Sequence, residues 1–310
     1  MFGRNPFLAR KAKPVVVGHR GVPRLHQENT LAGFRRALAL GVPAIELDVR
    51  LTADRKAVVF HDPDLRRMTG ERGRVGAMTW DQLSKLRIRR EIPMGIDATG
   101  GVSVVRYERA ERIPLLAEVL ELSSKLAINV ELKLDPRFWS VDVGEVAAQV
   151  IADARADERV IVTSFDPRKL RAAQRKHPRL ATGFCFDDTM LNFASFVLDR
   201  LPIADRLGIH ERHPHPNARR LLNRILDSAI VNRLLGTRVV GAEHTLVGAE
   251  TVEQLHRNGF AIGTHTLFPL GSGKRIAPSA TTAHEVERLV ALGVDWIETD
   301  DPERLLPLVG

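Results

Sequence analysis

The feature that most constrains this chain is an alternation of short β-branched runs with helix-length amphipathic segments, sustained from Val15 to the C-terminal end. Extended runs are expected at Val15-Val17, Ala44-Val49, Ala127-Leu132, Val160-Ser164, Leu180-Phe184, Arg238-Gly241, Ala261-Thr264 and Asp295-Thr299. Helical patterns separate them, with start and stop signals of the usual chemistry. Thr30 precedes the face Leu31, Phe34 and Leu38, and Gly41 follows it. Thr79 with Gln82 has capping-box form, Asp166-Pro167 pairs an N-cap with Pro at the first helical position, and Thr251 and Thr282 read as further N-caps. Strands that alternate with helices are joined by right-handed crossovers and form a parallel sheet. Eight such strands in 310 residues fit a closed (β/α)8 TIM barrel with rim insertions. An internal echo supports a repeating unit, since Gly41-Val42-Pro43-Ala44-Ile45-Glu46-Leu47-Asp48 parallels Gly293-Val294-Asp295-Trp296-Ile297-Glu298-Thr299-Asp300. An open doubly wound sheet is disfavoured because no Gly-rich phosphate loop follows the first strand.

The expected organisation is a basic N-terminal extension over 1–13 and a single barrel domain over 14–310. Insertions are expected at about 87–112, 186–237 and 268–280. Segment 87–112 reads as an irregular, charged rim excursion. Within 186–237, Met190-Leu201 is compatible with a helix, and so is the stripe Leu221, Leu222, Ile225, Leu226, Ala229, Ile230 and Leu234. Arg219, Arg220, Arg224 and Arg233 occupy the stripe's other face, so that helix either packs on its own domain or touches an anionic membrane surface.

Composition narrows the class of function. Lys and Arg number 46 against 38 acidic residues, a formal charge of +8 that favours anionic partners. Aromatic residues are 5% of the chain and no recognition motif appears, so nucleic acid is not expected as a partner. A single cysteine, Cys185, excludes an internal disulfide framework and is expected to be a bystander thiol. The basic N-terminus has no continuous apolar segment of signal-peptide type, and no apolar run approaches the roughly 20 residues of a membrane span. The expectation is a cytoplasmic protein, with peripheral membrane contact as its extension.

Chemistry-bearing residues sit at strand ends. Glu46 and Asp48 are two apart on one strand and share a face, and Glu131 and Lys133 repeat that spacing. Carboxylates converging at a barrel rim repel one another unless a cation neutralises them, and an oxygen-only ligand set favours a hard divalent ion, Mg2+ or Ca2+. His19 and His61 end two other extended runs and suit proton transfer at a phosphate. Arg20 and Lys133 suit its non-bridging oxygens. His210, His213 and His215 form a weaker candidate for a transition-metal site, lacking Cys partners in a Pro-rich stretch.

The chain resembles the glycerophosphodiester phosphodiesterase family of barrel enzymes. The resemblance rests on His19-Arg20-Gly21, Glu28-Asn29-Thr30, Ile45-Glu46-Leu47-Asp48-Val49, Thr52-x-Asp54, His61-Asp62 and Leu65-x-Arg67-x-Thr69-Gly70. Further along, Ile113-Pro114-Leu115, Val130-Glu131-Leu132-Lys133, Thr163-Ser164-Phe165 and Thr299-Asp300-x-Pro302 follow in order. It implies metal-dependent hydrolysis of a glycerophosphodiester to glycerol 3-phosphate and an alcohol. It also implies that His19 and His61 are general acid and base, that Glu46, Asp48 and Glu131 hold one divalent cation, and that Arg20 and Lys133 bind the phosphate. Glu28 and Phe165 would support the site. The implied partner is a small-molecule or lipid-derived phosphodiester. Where the family has a Trp-Thr pair, this chain has His265-Thr266, followed by a lengthened loop. Those departures bear on the leaving alcohol and keep a lysophospholipase D or other lipid phosphodiesterase in view. A non-catalytic barrel that binds anionic lipid or a phosphometabolite is the alternative of another class.

Overall fold

The structure, a computed structural model, describes residues 5–96, 101–134, 140–187, 190, 218–270 and 279–310. Eight parallel strands close on themselves in the order β1 (Val15–Gly18), β2 (Ala44–Leu51), β6 (Ala127–Leu132), β7 (Val160–Ser164), β8 (Ala181–Phe186), β9 (Val239–Glu243), β10 (Ala261–Leu267) and β11 (Trp296–Thr299). Closure is made by β1, whose Val17 lies opposite Ala44 on one side and Glu298 on the other. Intervening helices are α1 (Leu31–Ala39), α4 (Leu116–Leu120), α5 (Asp142–Asp153), α6 (Pro167–Lys176), α7 (Ala218–Asp227), α8 (Ile230–Leu235), α9 (Ala249–Arg257), α10 (Ser279–Leu292) and α11 (Pro302–Val309), with short α2 (Arg66–Thr69) and α3 (Trp80–Ser84) on the rim. This is the expected (β/α)8 architecture. Among the described residues no helix is long and apolar enough to cross a membrane.

The strands' period of two divides the core into two shells. Outward residues such as Val16, Ile45, Leu47, Ile128, Val130, Val162, Val240, Ile262 and Ile297 pack with the inner faces of the helices. Inward residues at the base of the barrel, Val15, Val17, Ala44, Ala127, Ile161, Ala181, Val239, Ala261 and Trp296, form a separate apolar plug. Phe7 completes it from the N-terminal segment, edge-on to Trp296 at 5.5 Å between ring centroids, and Asn5 Nδ2 donates to the Val160 carbonyl at 2.9 Å. Residues from Asn5 therefore stopper the barrel's lower mouth. One step up each strand the inward side chains turn polar or vanish. Glu46, Asn129, Thr163, Gly241, Gly263 and Glu298 belong to that level.

The sequence echo has a spatial meaning. The two repeated segments build β2 and β11, the strands that flank β1, and Gly41 and Gly293 both stop the preceding helix at φ of +75°. Thr30 caps α1 by accepting from the Gly33 amide, and Thr79 with Gln82 forms the expected capping box. Two expected N-caps are corrected. Helix α9 begins at Ala249 with Gly248 as its cap, so that Thr251 lies inside the first turn and bonds back to the Gly248 amide. Helix α10 starts at Ser279, ahead of Thr282.

Three rim segments depart from simple alternation. The run after Lys56 becomes β3 (Ala57–Val59), antiparallel to the upper end of β2 and outside the barrel wall. Segment 87–112, expected to be irregular, contains an antiparallel hairpin of β4 (Glu91–Ile96) and β5 (Val102–Arg106). Pro93 and Gly95 obscure the strand pattern, and the register shift between them accommodates both residues. Ile92 and Tyr107 anchor the hairpin in a satellite core with Phe60, Leu65 and Met68. The stripe after Arg220 is two helices, broken at Ala229, whose φ is +53°. Leu222, Leu226 and Ala229 pack into the main core, whereas Ile230 and Leu234 are exposed. Residues 191–217, including His210, His213 and His215, and most of the 268–280 loop lie outside the described residues.

The bottom plug depends on Gly263. An added Cβ there would stand 1.7 Å from Trp296 Cε2. Gly263→Ala therefore forces the indole aside and is expected to cost about 2 kcal/mol, in the range of core overpacking. Urea denaturation monitored by far-UV circular dichroism checks this, and an unchanged midpoint would contradict the close approach.

Candidate active site

The upper mouth of the barrel opens into a cleft of about 490 Å3 lined by residues from nearly every strand end. On the β1–β2–β6 side it receives His19, Arg20, Glu131 and Lys133. From the rim come Glu28, His61, Asp62 and Arg67, across the barrel stand Phe165 and His265, and Glu298 and Asp300 come from β11 and its end, next to β1. Pro93, Met94 and Gly95 of the hairpin and Pro269 of the β10–α10 loop border the opening.

Glu46, Asp48 and Glu131 offer carboxylate oxygens that all lie within 4.8 Å of one another. Glu46 and Asp48 are almost completely buried, so their charges need partners inside the protein. Asp48 has four. Arg20 Nε lies 3.1 Å from Oδ2, Asn29 Nδ2 donates to Oδ2 at 2.7 Å, the Asp48 amide donates to Asn29 Oδ1, and Lys133 Nζ lies 3.0 Å from Oδ1. Burial works against the charge, but Lys133 and Arg20 hold Asp48 well below the ordinary carboxylate range. Glu46 is pushed the other way, by burial and by the Asp48 charge beside it. Its Oε2 accepts from the Arg20 amide at 3.0 Å, while Oε1 has no hydrogen-bond partner among the described residues. A buried, orphaned carboxylate oxygen beside two more carboxylates is the donor set a hard divalent cation requires.

The two histidines are held alike and charged differently. His19 Nδ1 lies 2.6 Å from Asp300 Oδ1, and its Nε2 stands 3.8 Å from Glu46 Oε2. Burial and Arg20 oppose its protonation, but Asp300 and Glu46 outweigh them and bring it to about 9. His61 Nδ1 lies 2.7 Å from Asp62 Oδ1. Here burial, Arg20 and Lys133 prevail over Asp48 and Asp62, and His61 titrates below its usual value. In both rings the carboxylate fixes Nδ1 as the protonated nitrogen and leaves Nε2 for exchange.

Local backbone chemistry explains how these groups arrive. The β1–β11 ladder continues one residue past the strand through the His19 amide and the Thr299 carbonyl. The chain then turns through left-handed conformations at Arg20 (φ 55°) and Gly21 (φ 95°), which aims the Arg20 amide at Glu46. Asn29 is also left-handed, at φ 59°, and its amide spans to Asp48. Beyond β3, Arg50 Nε donates to the His61 carbonyl and the Phe60 amide to the Asp48 carbonyl, which fastens the His61 turn to the end of β2. Phe165 follows β7, its ring 6.3 Å from the His265 imidazole.

The site residues that the family resemblance implies all come to this mouth, whereas His210, His213 and His215 lie outside the described residues. Arg20 and Lys133, expected on the phosphate, are also the counter-charges of the acidic cluster: Arg20 additionally reaches Glu28 at 3.1 Å and Lys133 reaches Glu131 at 2.7 Å. Four residues that sequence reasoning gave no role prove central. Asn29 orients Asp48, Asp300 and Asp62 orient the histidines, and Arg67 locks Glu28 to Asp62 with contacts of 2.6 Å to each. All four stand inside the motifs already noted, but pairing between the first and last barrel strands, as between His19 and Asp300, has no sequence signal. Cys185 is buried at the cleft wall, where burial pushes its thiol well up.

The model of the glycerophosphoryl diester phosphodiesterase family matches residues 19–304, and the chain belongs to that family of phosphoric diester hydrolases. A glycerophosphodiester phosphodiesterase from Caldanaerobacter subterraneus subsp. tengcongensis is 29% identical over 299 residues, spanning 96% of this chain and 98% of its own. Among solved structures, a protein from Silicibacter pomeroyi, provisionally described as a glycerophosphoryl diester phosphodiesterase, covers 100% of this chain and 97% of its own with a TM-score of 0.70 and 22% identity. A phosphodiesterase from Oleispira antarctica, in complex with the product sn-glycerol-3-phosphate, covers 96% and 97% with a TM-score of 0.66 and 18% identity.

The Glu28–Arg67–Asp62 network sets an acid limit on stability. Burial would raise Glu28, but Arg20 and Arg67 depress it from its ordinary 4.5 to about 2. Its contribution is therefore complete above the unfolded value and is lost as pH falls toward 2. Arg67→Met leaves two carboxylates short of their cation. It is expected to cost about 3 kcal/mol at neutral pH and to move the acid-unfolding midpoint to higher pH. Circular dichroism between pH 2 and 7 reads both effects; an unmoved midpoint would show that Arg67 does not hold Glu28 in its charged form.

Proposed function

We propose that this chain hydrolyses glycerophosphodiesters to glycerol 3-phosphate and an alcohol, using His19 as general acid, His61 as general base and one divalent cation. The observation that carries the reading is the pair of His–Asp units facing one cleft, with surroundings that push the two imidazoles in opposite directions. Two titratable groups driven apart in this way fit an acid and a base at the same pH. Neutral His61, its Nδ1–H held by Asp62, takes a proton at Nε2 from the attacking hydroxyl. Charged His19 gives its Nε2 proton to the departing alkoxide. If the attacking group is the neighbouring glycerol hydroxyl, a cyclic phosphate forms, and water opens it with the two histidines in reversed roles. Arg20 and Lys133 bind the non-bridging oxygens.

Glu46, Asp48 and Glu131 would hold Mg2+ or Ca2+, and the donor chemistry fits either. When bound, the cation neutralises the carboxylates and withdraws charge from a phosphoryl oxygen. Glu28 serves Arg20 and Arg67, and Phe165 walls the cleft. A lipid-borne diester is a second reading, supported by the rim hairpin. On β5, Val104 is 50% exposed and paired to Pro93 at the cleft border, and Val102 is 67% exposed and paired to Ile96. Release of glycerol 3-phosphate from glycerophosphodiesters and from lysophospholipids, assayed side by side, separates the two readings.

Chelation is expected to abolish turnover, and Mg2+ or Ca2+ to restore it. His19→Ala and His61→Ala are each expected to lower kcat by about a hundredfold or more while leaving far-UV circular dichroism unchanged. Full turnover by either variant would remove that histidine from the mechanism.

The pH profile of kcat/KM should be bell-shaped. It rises as His61 loses its proton below its ordinary 6.5 and falls as His19 loses its own toward 9. A bound cation adds positive charge and shifts both limbs acidward. Asp300→Asn removes a group that raises His19, so the alkaline limb should move to lower pH. An alkaline limb that stays in place would count against His19 as the acid.

A further inference from the structure

Below the carboxylate cluster the cleft continues into the barrel, and the group at its floor takes no part in the reaction proposed above. Glu298 points inward from β11, two residues above Trp296 and two below Asp300. It is 6% exposed and lines the cleft together with Asn129, Thr163, Gly241, Gly263 and Trp296. Gly241 and Gly263 border the cleft at this level, below Glu131 and His265, with the Trp296 indole filling the space beside Gly263.

Glu298 is held through one oxygen. Asn129 Nδ2 donates to Oε1 at 2.7 Å and the Trp296 indole N–H approaches the same atom at 3.4 Å. Asn129 is itself fixed, its Oδ1 accepting from Thr163 Oγ1 at 2.8 Å. The carboxylate thus has a set orientation, and Oε2 makes no hydrogen bond among the described residues. Glu298 also differs from its neighbours above. Asp48 and Glu131 are paired with Lys133, and Asp48 with Arg20 as well, whereas the hydrogen bonds to Glu298 come only from neutral groups. A buried acceptor of this kind, in the wall of the cleft beneath the groups proposed to bind the phosphate, matches a neutral O–H donor carried by the substrate.

We propose that Glu298 is a specificity-determining residue whose free carboxylate oxygen accepts a hydrogen bond from a hydroxyl of the substrate's glyceryl moiety. The proposal rests on the glycerophosphodiester reading above, and names the residue that would distinguish a glyceryl phosphate from a phosphate ester of the same size without hydroxyls. Sites built to bond a hydroxyl discriminate strongly against the analogue that lacks it, because the buried acceptor is then left unpaired.

The test is the affinity of the Mg2+-loaded protein for two ligands, sn-glycerol 3-phosphate and n-propyl phosphate, measured by titration calorimetry. No turnover is needed, so the outcome is independent of whether glycerophosphodiesters are hydrolysed, which the assays above decide separately. The wild type is expected to prefer glycerol 3-phosphate by about tenfold or more. In Glu298→Leu the preference should collapse to about unity, with propyl phosphate binding nearly unchanged. In Glu298→Gln, which keeps the bond from Asn129 but presents an amide to the cleft, it should fall several-fold. The Gln variant decides the matter should the Leu variant fail to fold. Equal loss of both ligands would mean that Glu298 serves the fold or the cation. A preference kept in the variants, or absent from the wild type, would equally overturn the proposal.

Discussion

The site depends on how the protein keeps Asp48 charged in a place where no water reaches it. A lone carboxylate at that depth would take up a proton rather than bear the cost of desolvation. Asp48 avoids this through Arg20, Lys133 and Asn29, which come from three separate segments: the turn after β1, the end of β6, and the turn before α1. Each partner is then pinned elsewhere, Arg20 by Glu28, Lys133 by Glu131 and Asn29 by the Asp48 amide. Opposite charges are thereby interleaved around the mouth of the barrel. Within this cluster Glu46 is left with too little positive charge. A cation is best accommodated where the protein has failed to neutralise itself.

The same interleaving separates the histidines. Both have a carboxylate at Nδ1, so the dyad by itself does not decide which one is charged. His61 faces Arg20 and Lys133, whereas His19 has Glu46 within 3.8 Å in addition to Asp300. The opposite shifts of the two imidazoles thus come from the surrounding charges, and Arg67 ties that ring together at the Asp62 end by spanning Glu28 and Asp62.

Much of this was legible in the sequence, and the part that was not has a common cause. Strand periodicity carries orientation, so Glu46 with Asp48 and Glu131 with Lys133 could be placed on inward faces without coordinates. The order of motifs from His19 to Asp300 gave the family resemblance that the family match now makes definite. What the sequence hides is closure. Only the ring of strands brings Asp300 to His19 across 281 positions, or Glu298 to Asn129 across 169. The hairpin over β4 and β5 was hidden for another reason. Its Pro93 and Gly95 are breakers in local terms, and they are tolerated because the hairpin lies outside the barrel and absorbs both in a register shift. The divided stripe of α7 and α8 is a similar case, since periodicity continues smoothly through the left-handed turn at Ala229.

Each barrel strand also grades from stability to chemistry along its length, and the repeat of β2 and β11 displays this twice. From the base upward, β2 presents Ala44, Glu46 and Asp48 inward, and β11 presents Trp296, Glu298 and Asp300. The lowest residue of each belongs to the dry plug closed by Phe7, and the highest touches a group at the rim. The middle level is where the two strands differ in use. On β2 the middle carboxylate is surrounded by other charges and joins the cluster. On β11 it meets an amide and an indole. One structural unit, stopped by the same left-handed glycine and placed on both sides of β1, therefore yields two kinds of carboxylate. The difference comes from the surroundings: Glu46 stands beside Asp48 and within reach of His19 and Glu131, whereas Glu298 receives Asn129 of β6 from across the barrel. Because inward positions recur every second residue, one strand presents different chemistry at levels about 6–7 Å apart.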